Sequence, residues 1–191
     1  LSFFPGGKGA NQACALGRLG AQVAMYGCVG QDDFGSQLTD NLVRAGVDAR
    51  WVMRLPDVKT GVALITVAEN DNTIVVVPGA NAQVSPAYID SVADQLRQSD
   101  LVMMQLEIPL DTVAYVTDLC AKAGVPVLLN PAPARPLPPR LLEQVSYLTP
   151  NEHEAALLFH HQGPLDDLLV AWRGKLVVTL GENGSAMADE D

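Results

Sequence analysis

Basic charge is what this chain has least of. Lysines and arginines number 12 against 22 aspartates and glutamates, a formal net charge of −10 over 191 residues. That balance excludes the basic footprint of a nucleic-acid binder. It leaves a phosphate ligand open, because donors at a helix start act locally whatever the global charge. Cysteine is scarce too, and Cys14, Cys28 and Cys120 show no CxxC or paired spacing. They read as reduced, mostly buried thiols, as expected in the cytoplasm. No apolar run approaches the roughly 18 residues that span a bilayer, so no membrane partner is expected. The opening "LSFFPGGKG" has neither the basic n-region nor the long apolar stretch of a signal peptide. There is no fixed-period repeat and no low-complexity linker. What remains is 48% hydrophobic and 18% charged, a globular composition long enough for one sizeable α/β domain.

Short apolar runs alternate with longer amphipathic ones. "GANQACALGRLG" reads as a helix and "AQVAMYGCVG" as a strand. "FGSQLTDNLVRAG" reads as a helix with Phe34, Leu38 and Leu42 at four-residue steps. "PAYIDSVADQLRQ" puts Ile89, Val92 and Leu96 on one helical face, and "DLVMMQLE" is a buried strand. The helix "DTVAYVTDLCAKAG", the strands "VPVLLN" and "SYLTP", the helix "NEHEAALLF" and the strand "KLVVTL" follow. Strands alternating with helices imply a doubly wound α/β fold with a mainly parallel sheet covered on both faces. Three helices end alike, at Gly20, Gly46 and Gly124 after a cationic last turn, which is helix-stop chemistry. One stretch breaks the rhythm. "TGVALITVAENDNTIVVVPG" holds two β-rich runs around turn residues Glu69 to Asn72, a hairpin that is either a flap set apart or an antiparallel edge of the main sheet.

Three short motifs carry both a structural and a chemical reading. "PGGKGANQA" gathers glycines at a helix mouth, where they weaken the fold unless something approaches the backbone. It is no Walker A loop, because Gly9 follows Lys8, and no dinucleotide fingerprint, because Gln12 stands where the third glycine or alanine belongs. It is either a tight helix entrance or a place where backbone N–H groups and the Asn11 amide meet a hydroxylated ligand. In "TPNEHEA", Asn151 and Glu154 have the spacing of a capping box. The same carboxylate, at the end of a parallel strand, can hold Mg²⁺ through water. "VVTLGENGSA" places a Gly-x-x-Gly turn, Gly181 to Gly184, after a strand, as a hairpin turn or a ligand loop. Glu107 ends the strand "VMMQLE" on the edge where parallel sheets bind ligands. His160 and His161 are adjacent and read as a solvent-facing pair without a third ligand at metal spacing.

Taken together and in order, "GGKGANQA", "LVMMQLEIPL", "LLNPAPA", "LTPNEHEA" and "VVTLGENG" resemble the ribokinase/phosphofructokinase-B family of sugar and nucleoside kinases, on its ribokinase branch. The resemblance runs over essentially the whole chain. It implies a small β lid at residues 56–80 on an α/β kinase core of residues 1–55 and 81–191. It implies transfer of the γ-phosphate of ATP to a sugar hydroxyl, with D-ribose becoming ribose 5-phosphate. By the same resemblance Gly7, Lys8, Gly9, Ala10 and Asn11 line the sugar, and Glu107 hydrogen-bonds one of its hydroxyls. Asn151 faces the ATP phosphates, Glu154 lies near Mg²⁺ and its waters, and Thr179, Leu180, Gly181, Glu182, Asn183 and Gly184 line the nucleotide. The lid also builds a homodimer in similar enzymes.

The family's base comes from a C-terminal Gly-Ala-Gly-Asp segment, whose helix start also serves as an anion hole. No such segment is present in these 191 residues, and neither Asp189 nor Asp191 of "GENGSAMADED" lies in a glycine-rich helix entrance. The family's opening strand, with its sugar-binding Asp, is absent as well. The expectation is a kinase truncated at both ends and inactive as it stands. Its base Asp, its monovalent-cation (K⁺) loop and most of its adenine pocket would then lie beyond these residues. The alternative is a degenerate member that binds a sugar or nucleotide without catalysis. A nicotinamide dehydrogenase fits poorly, since no ribose-binding acid follows the first strand at the expected distance.

Overall fold

The alternating runs fold into helices and mainly parallel strands in a computed structural model that describes residues 3–68 and 71–189. The chain divides into two units, residues 1–85 with 107–109, and residues 86–106 with 110–191.

In the first unit, helix α1 (Lys8–Arg18) is followed by strand β1 (Gly27–Gly30), helix α2 (Asp33–Arg44) and strand β2 (Val52–Leu55). β1 and β2 pair in parallel from Gly27↔Val52 to Gly30↔Leu55. The strand expected over "AQVAMYGCVG" is regular only in its last four residues; upstream, Ala24 makes an isolated bridge to Asp48. Ala13 and Cys14 of α1 pack with Leu42 of α2 and with Ala45 and Val47 to form the core. Of the expected apolar row on α2, Leu42 is buried, whereas Phe34 is 38% exposed and stacks at a tilt on Phe3.

Strands β3 (Val62–Ala68) and β4 (Asp71–Val77) pair antiparallel, from Val62↔Val77 to Ala68↔Asp71, and form a sheet of their own. Of the expected turn residues, Glu69 and Asn70 lie outside the described residues. Cross-strand partners share a face, so Leu64 and Val75 lie on one side and Ile65 and Ile74 on the other. All four are exposed, as are Val76 and Val77. The ribbon is therefore apolar on both faces.

Its root is pinned by hydrogen bonds. Asp32 caps α2 by accepting from the Gly35 N–H, and it also accepts from the Thr60 N–H (2.9 Å) and hydroxyl (2.6 Å). The Thr60 hydroxyl in turn accepts from the Gly30 N–H at 2.9 Å. Below β4, Gly79 adopts φ 52, and a Cβ there would lie 2.5 Å from the Lys59 carbonyl, so the two arms of the hairpin meet backbone to backbone.

The second unit runs α3 (Pro86–Ser91), α4 (Ala93–Arg97), β5 (Val102–Met104), α5 (Leu110–Ala123), β6 (Val127–Leu129), α6 (Pro139–Gln144), β7 (Tyr147–Leu148), α7 (Glu152–Phe159), α8 (Leu165–Ala171), β8 (Val177–Thr179) and β9 (Ser185–Met187). β5, β6 and β7 form a parallel sheet in that order. β8 follows β7 through parallel bridges Leu148↔Leu176 and Asn151↔Thr179, and β9 returns antiparallel to β8. Leu129, Leu148, Leu176 and Val178 are wholly buried in this sheet. The single helix expected over "PAYIDSVADQLRQ" is two short ones, broken at Val92, whose φ of −121 leaves the helical range. Ile89, Val92 and Leu96 are nevertheless all buried, so the apolar face survives the break. The helix stops Gly20, Gly46 and Gly124 have φ of 91, 81 and 71, all in the left-handed range. Among the described residues no helix is long and apolar enough to cross a membrane.

The hydrogen bonds from Thr60 and Gly35 hold the Asp32 carboxyl down at about 2. Because the folded value lies below the unfolded one, this stabilisation is present above the ordinary carboxylate range and is lost as pH falls toward the folded value. Urea unfolding is expected to find Asp32→Ala less stable by about 1 kcal/mol at neutral pH. The gap should close as the solution is acidified; a gap independent of pH would remove the carboxylate from the explanation.

Candidate active site

The glycine loop enters α1 at Gly7, which has φ 94 and ψ 131. A Cβ there would still have room, 3.8 Å from Glu107, so it is the left-handed backbone and not crowding that calls for glycine. No side chain of the loop itself caps the helix. The cap comes from 99 residues away: Glu107 Oε2 accepts a hydrogen bond from the Lys8 N–H at 2.8 Å. A carboxylate there also faces the positive end of the helix dipole, worth about 0.3–1 kcal/mol. The other oxygen, Oε1, has no hydrogen-bond partner among the described residues. Gly9, Ala10 and Asn11 complete the first turn, where the Asn11 N–H donates to the Gly7 carbonyl at 2.9 Å and the Asn11 side chain is exposed.

Glu107 was expected to end its strand, and it does not. β5 stops at Met104, whose carbonyl accepts from the Asn130 N–H, and Leu106 then donates to the Ala132 carbonyl. The chain has turned off the ladder before Glu107, and residues 107–109 group with the first unit.

In the second unit the capping box forms as read. Asn151 Oδ1 accepts from the Glu154 N–H at 2.7 Å, and Glu154 Oε2 accepts from the Asn151 N–H at 2.9 Å. Asn151 bridges Thr179, and the Thr179 N–H donates to the Pro150 carbonyl, so the ends of β7 and β8 lie side by side. Past Thr179, the Leu180 N–H donates to the Gly184 carbonyl around a 3₁₀ turn of Gly181, Glu182 and Asn183. The hairpin-turn geometry is thus present, with Gly181 to Gly184 exposed beside Asn151. Asn151, Glu154 and the Thr179–Gly184 loop are brought together; Gly7, Lys8 and Glu107 are brought together in the other unit.

The first turn of α7 carries Glu152 and Glu154, with His153 between them and no lysine or arginine. Two carboxylates oppose a bare phosphate at this helix start and favour a cation between them. Among the described residues no group of three His, Cys, Asp or Glu side chains could hold a metal by itself. His160 and His161 lie at the other end of the helix: His160 closes α7 with φ 50 and is exposed, and His161, partly exposed, has Nε2 2.8 Å from the Pro164 carbonyl.

One residue was not assigned a role by sequence reasoning. Asn130 follows β6, and its Oδ1 is buried with no hydrogen-bond partner among the described residues. An unmet buried acceptor costs about 1–3 kcal/mol. The sequence signal was a polar residue closing the apolar run "VPVLLN" at the ligand-binding end of a parallel strand.

The profile of the pfkB family carbohydrate kinases matches residues 1–191. The chain is 45% identical over 180 residues to a ribokinase of Bacillus subtilis, covering 94% of this chain and 61% of that one. It is 36% identical over 196 residues to a deoxyribokinase of Salmonella typhi, covering 97% and 64%. Among solved structures, that of Arabidopsis thaliana ribokinase complexed with ribose and ATP matches with a TM-score of 0.85 at 28% identity, over 97% of this chain and 64% of that one. The chain thus spans a little over three-fifths of the length of the curated relatives it matches.

The cap can be tested by itself. Asn151→Ala is expected to lower stability by about 1 kcal/mol, and Asn151→Asp, an equally good cap, to restore most of it. Thermal melts that drop equally for both variants would mean that the side-chain cap contributes nothing.

Proposed function

This chain belongs to the pfkB family of carbohydrate kinases, and on that premise we propose that the protein carrying it transfers the γ-phosphoryl group of ATP to a pentose hydroxyl, converting D-ribose to ribose 5-phosphate. The observation that carries the reading is the hydrogen bond joining Lys8 to Glu107 across 99 residues. It sets a carboxylate with one free oxygen beside a backbone loop and the exposed Asn11 amide. A sugar offers hydroxyls that both donate and accept, which a carboxylate acceptor and an amide with both functions can match. Gly7, Lys8, Gly9, Ala10, Asn11 and Glu107 are the proposed sugar contacts. Relatives named ribokinase, and one solved in complex with ribose and ATP, support ribose; a deoxyribokinase relative makes 2-deoxyribose the competitor to measure.

For the nucleotide, Thr179, Leu180, Gly181, Glu182, Asn183 and Gly184 form the proposed loop, with Asn151 turned toward the phosphates. Mg²⁺ would neutralise charge between phosphates and the Glu154 carboxylate, whose Oε1 is outside the capping box. None of these 191 residues is assigned the role of base or of a K⁺ site, and the chain alone is proposed to be inactive. Three free, buried cysteines support a reducing compartment, the cytoplasm.

Residues 56–80 are proposed as a lid and residues 1–55 with 81–191 as the kinase core. A ribbon apolar on both faces is poorly suited to water on either side. We assign it to a homodimer, with a second copy covering what the sugar does not.

In the protein carrying this chain, Asn11→Ala is expected to raise KM for ribose about tenfold, the equivalent of one lost hydrogen bond, with KM for ATP unchanged. Equal losses for both substrates would overturn the sugar assignment. Ile74→Lys should turn a dimer into a monomer in sedimentation velocity. A monomeric wild type, or a variant that stays dimeric, would remove the ribbon from the interface.

A further inference from the structure

Asn130 sits where the parallel sheet of the second unit gives out. Its backbone N–H still completes the ladder to Met104, and the residue at the same level on β7 is Thr149, whose N–H donates to the Leu129 carbonyl. Two residues beyond Thr149 the capping box begins. The side chain at that place presents a buried Oδ1 that no donor among the described residues satisfies. An amide oxygen only accepts. Phosphate oxygens at neutral pH also only accept, so a nucleotide phosphate cannot be its direct partner. The donors that a kinase edge receives are sugar hydroxyls and the waters carried by a divalent cation. Asn130 shares its unit with Asn151, Glu154 and Thr179, while the proposed sugar contacts, Gly7 to Asn11 and Glu107, belong to the other.

We propose that Asn130 is a positioning residue for the magnesium hydrate: its Oδ1 accepts a hydrogen bond from one of the waters that Mg²⁺ brings with the nucleotide. This rests on the reading that the Asn151–Glu154 edge receives Mg²⁺ with ATP. The assignment explains why, among the described residues, this buried side-chain acceptor is left open. A neutral amide suits the place, since Glu152 and Glu154 already supply the negative charge and a third carboxylate would add to their repulsion in the metal-free protein.

The test is a Mg²⁺ titration of the nucleotide-dependent melting shift at fixed ADP, in the protein carrying this chain, with no turnover needed. Asn130→Leu keeps the volume and removes the acceptor. Its ligand-free melting temperature should equal or exceed that of wild type, because an unmet polar atom has gone. Its Mg²⁺ requirement should rise about tenfold or more, as for other outer-shell partners of metals. Asn130→Asp should lower the Mg²⁺ requirement, and it decides the matter if the leucine variant fails to fold. Titrations that superimpose on wild type would overturn the proposal, as would a change confined to the ribose requirement. A wild type with no Mg²⁺-dependent shift at all would instead sink the reading of the edge, and the proposal with it.

Discussion

The start of α1 and the glycine loop before it depend on one hydrogen bond, from the Lys8 N–H to the Glu107 carboxylate. Without it the first turn of α1 has no side-chain cap, since the residue at the cap position is a glycine. The cap position has φ 94, a backbone conformation that favours glycine, so the loop carries no cap side chain of its own. Borrowing a carboxylate from a distant segment leaves the loop bare and still satisfies the helix. The cost is that the loop's geometry is hostage to where residues 107–109 run.

The second unit handles the same problem with local means. Asn151 and Glu154 satisfy each other's backbone, three residues apart. A capping box of this kind is stable before any ligand arrives, so both side chains are held in fixed rotamers at the strand edge. Structure and chemistry do not compete here. The cap engages Asn151 Oδ1 and Glu154 Oε2, and the groups left over face outward from a rigid frame.

What could be read from the sequence divides along the same line between local and distant. The capping box, the three helix-stop glycines and the hairpin were legible because each is written within a few consecutive residues. The break at Val92 was not, since Ile89, Val92 and Leu96 keep helical spacing and stay buried on either side of it. Strand ends were misjudged for a related reason: apolar character in "VMMQLE" runs on past Met104, whereas pairing stops there. The Asp32–Thr60 clasp and the Lys8–Glu107 contact join residues 28 and 99 positions apart, and no periodicity announces either. Asn130 stands within "LLNPAPA", but the open state of its oxygen depends on neighbours that only the folded sheet assembles.

The β3–β4 ribbon has a consequence for how the protein is made. A sheet of two strands leaves an outer edge on each strand without a ladder partner among the described residues. Here those edges flank rows of β-branched side chains. Such a segment is a template for strand addition by any other chain that reaches it first. Newly synthesised copies are therefore in a race between correct pairing and misassembly. Its outcome turns on local concentration and on how soon after synthesis the Thr60 clasp sets the ribbon's direction.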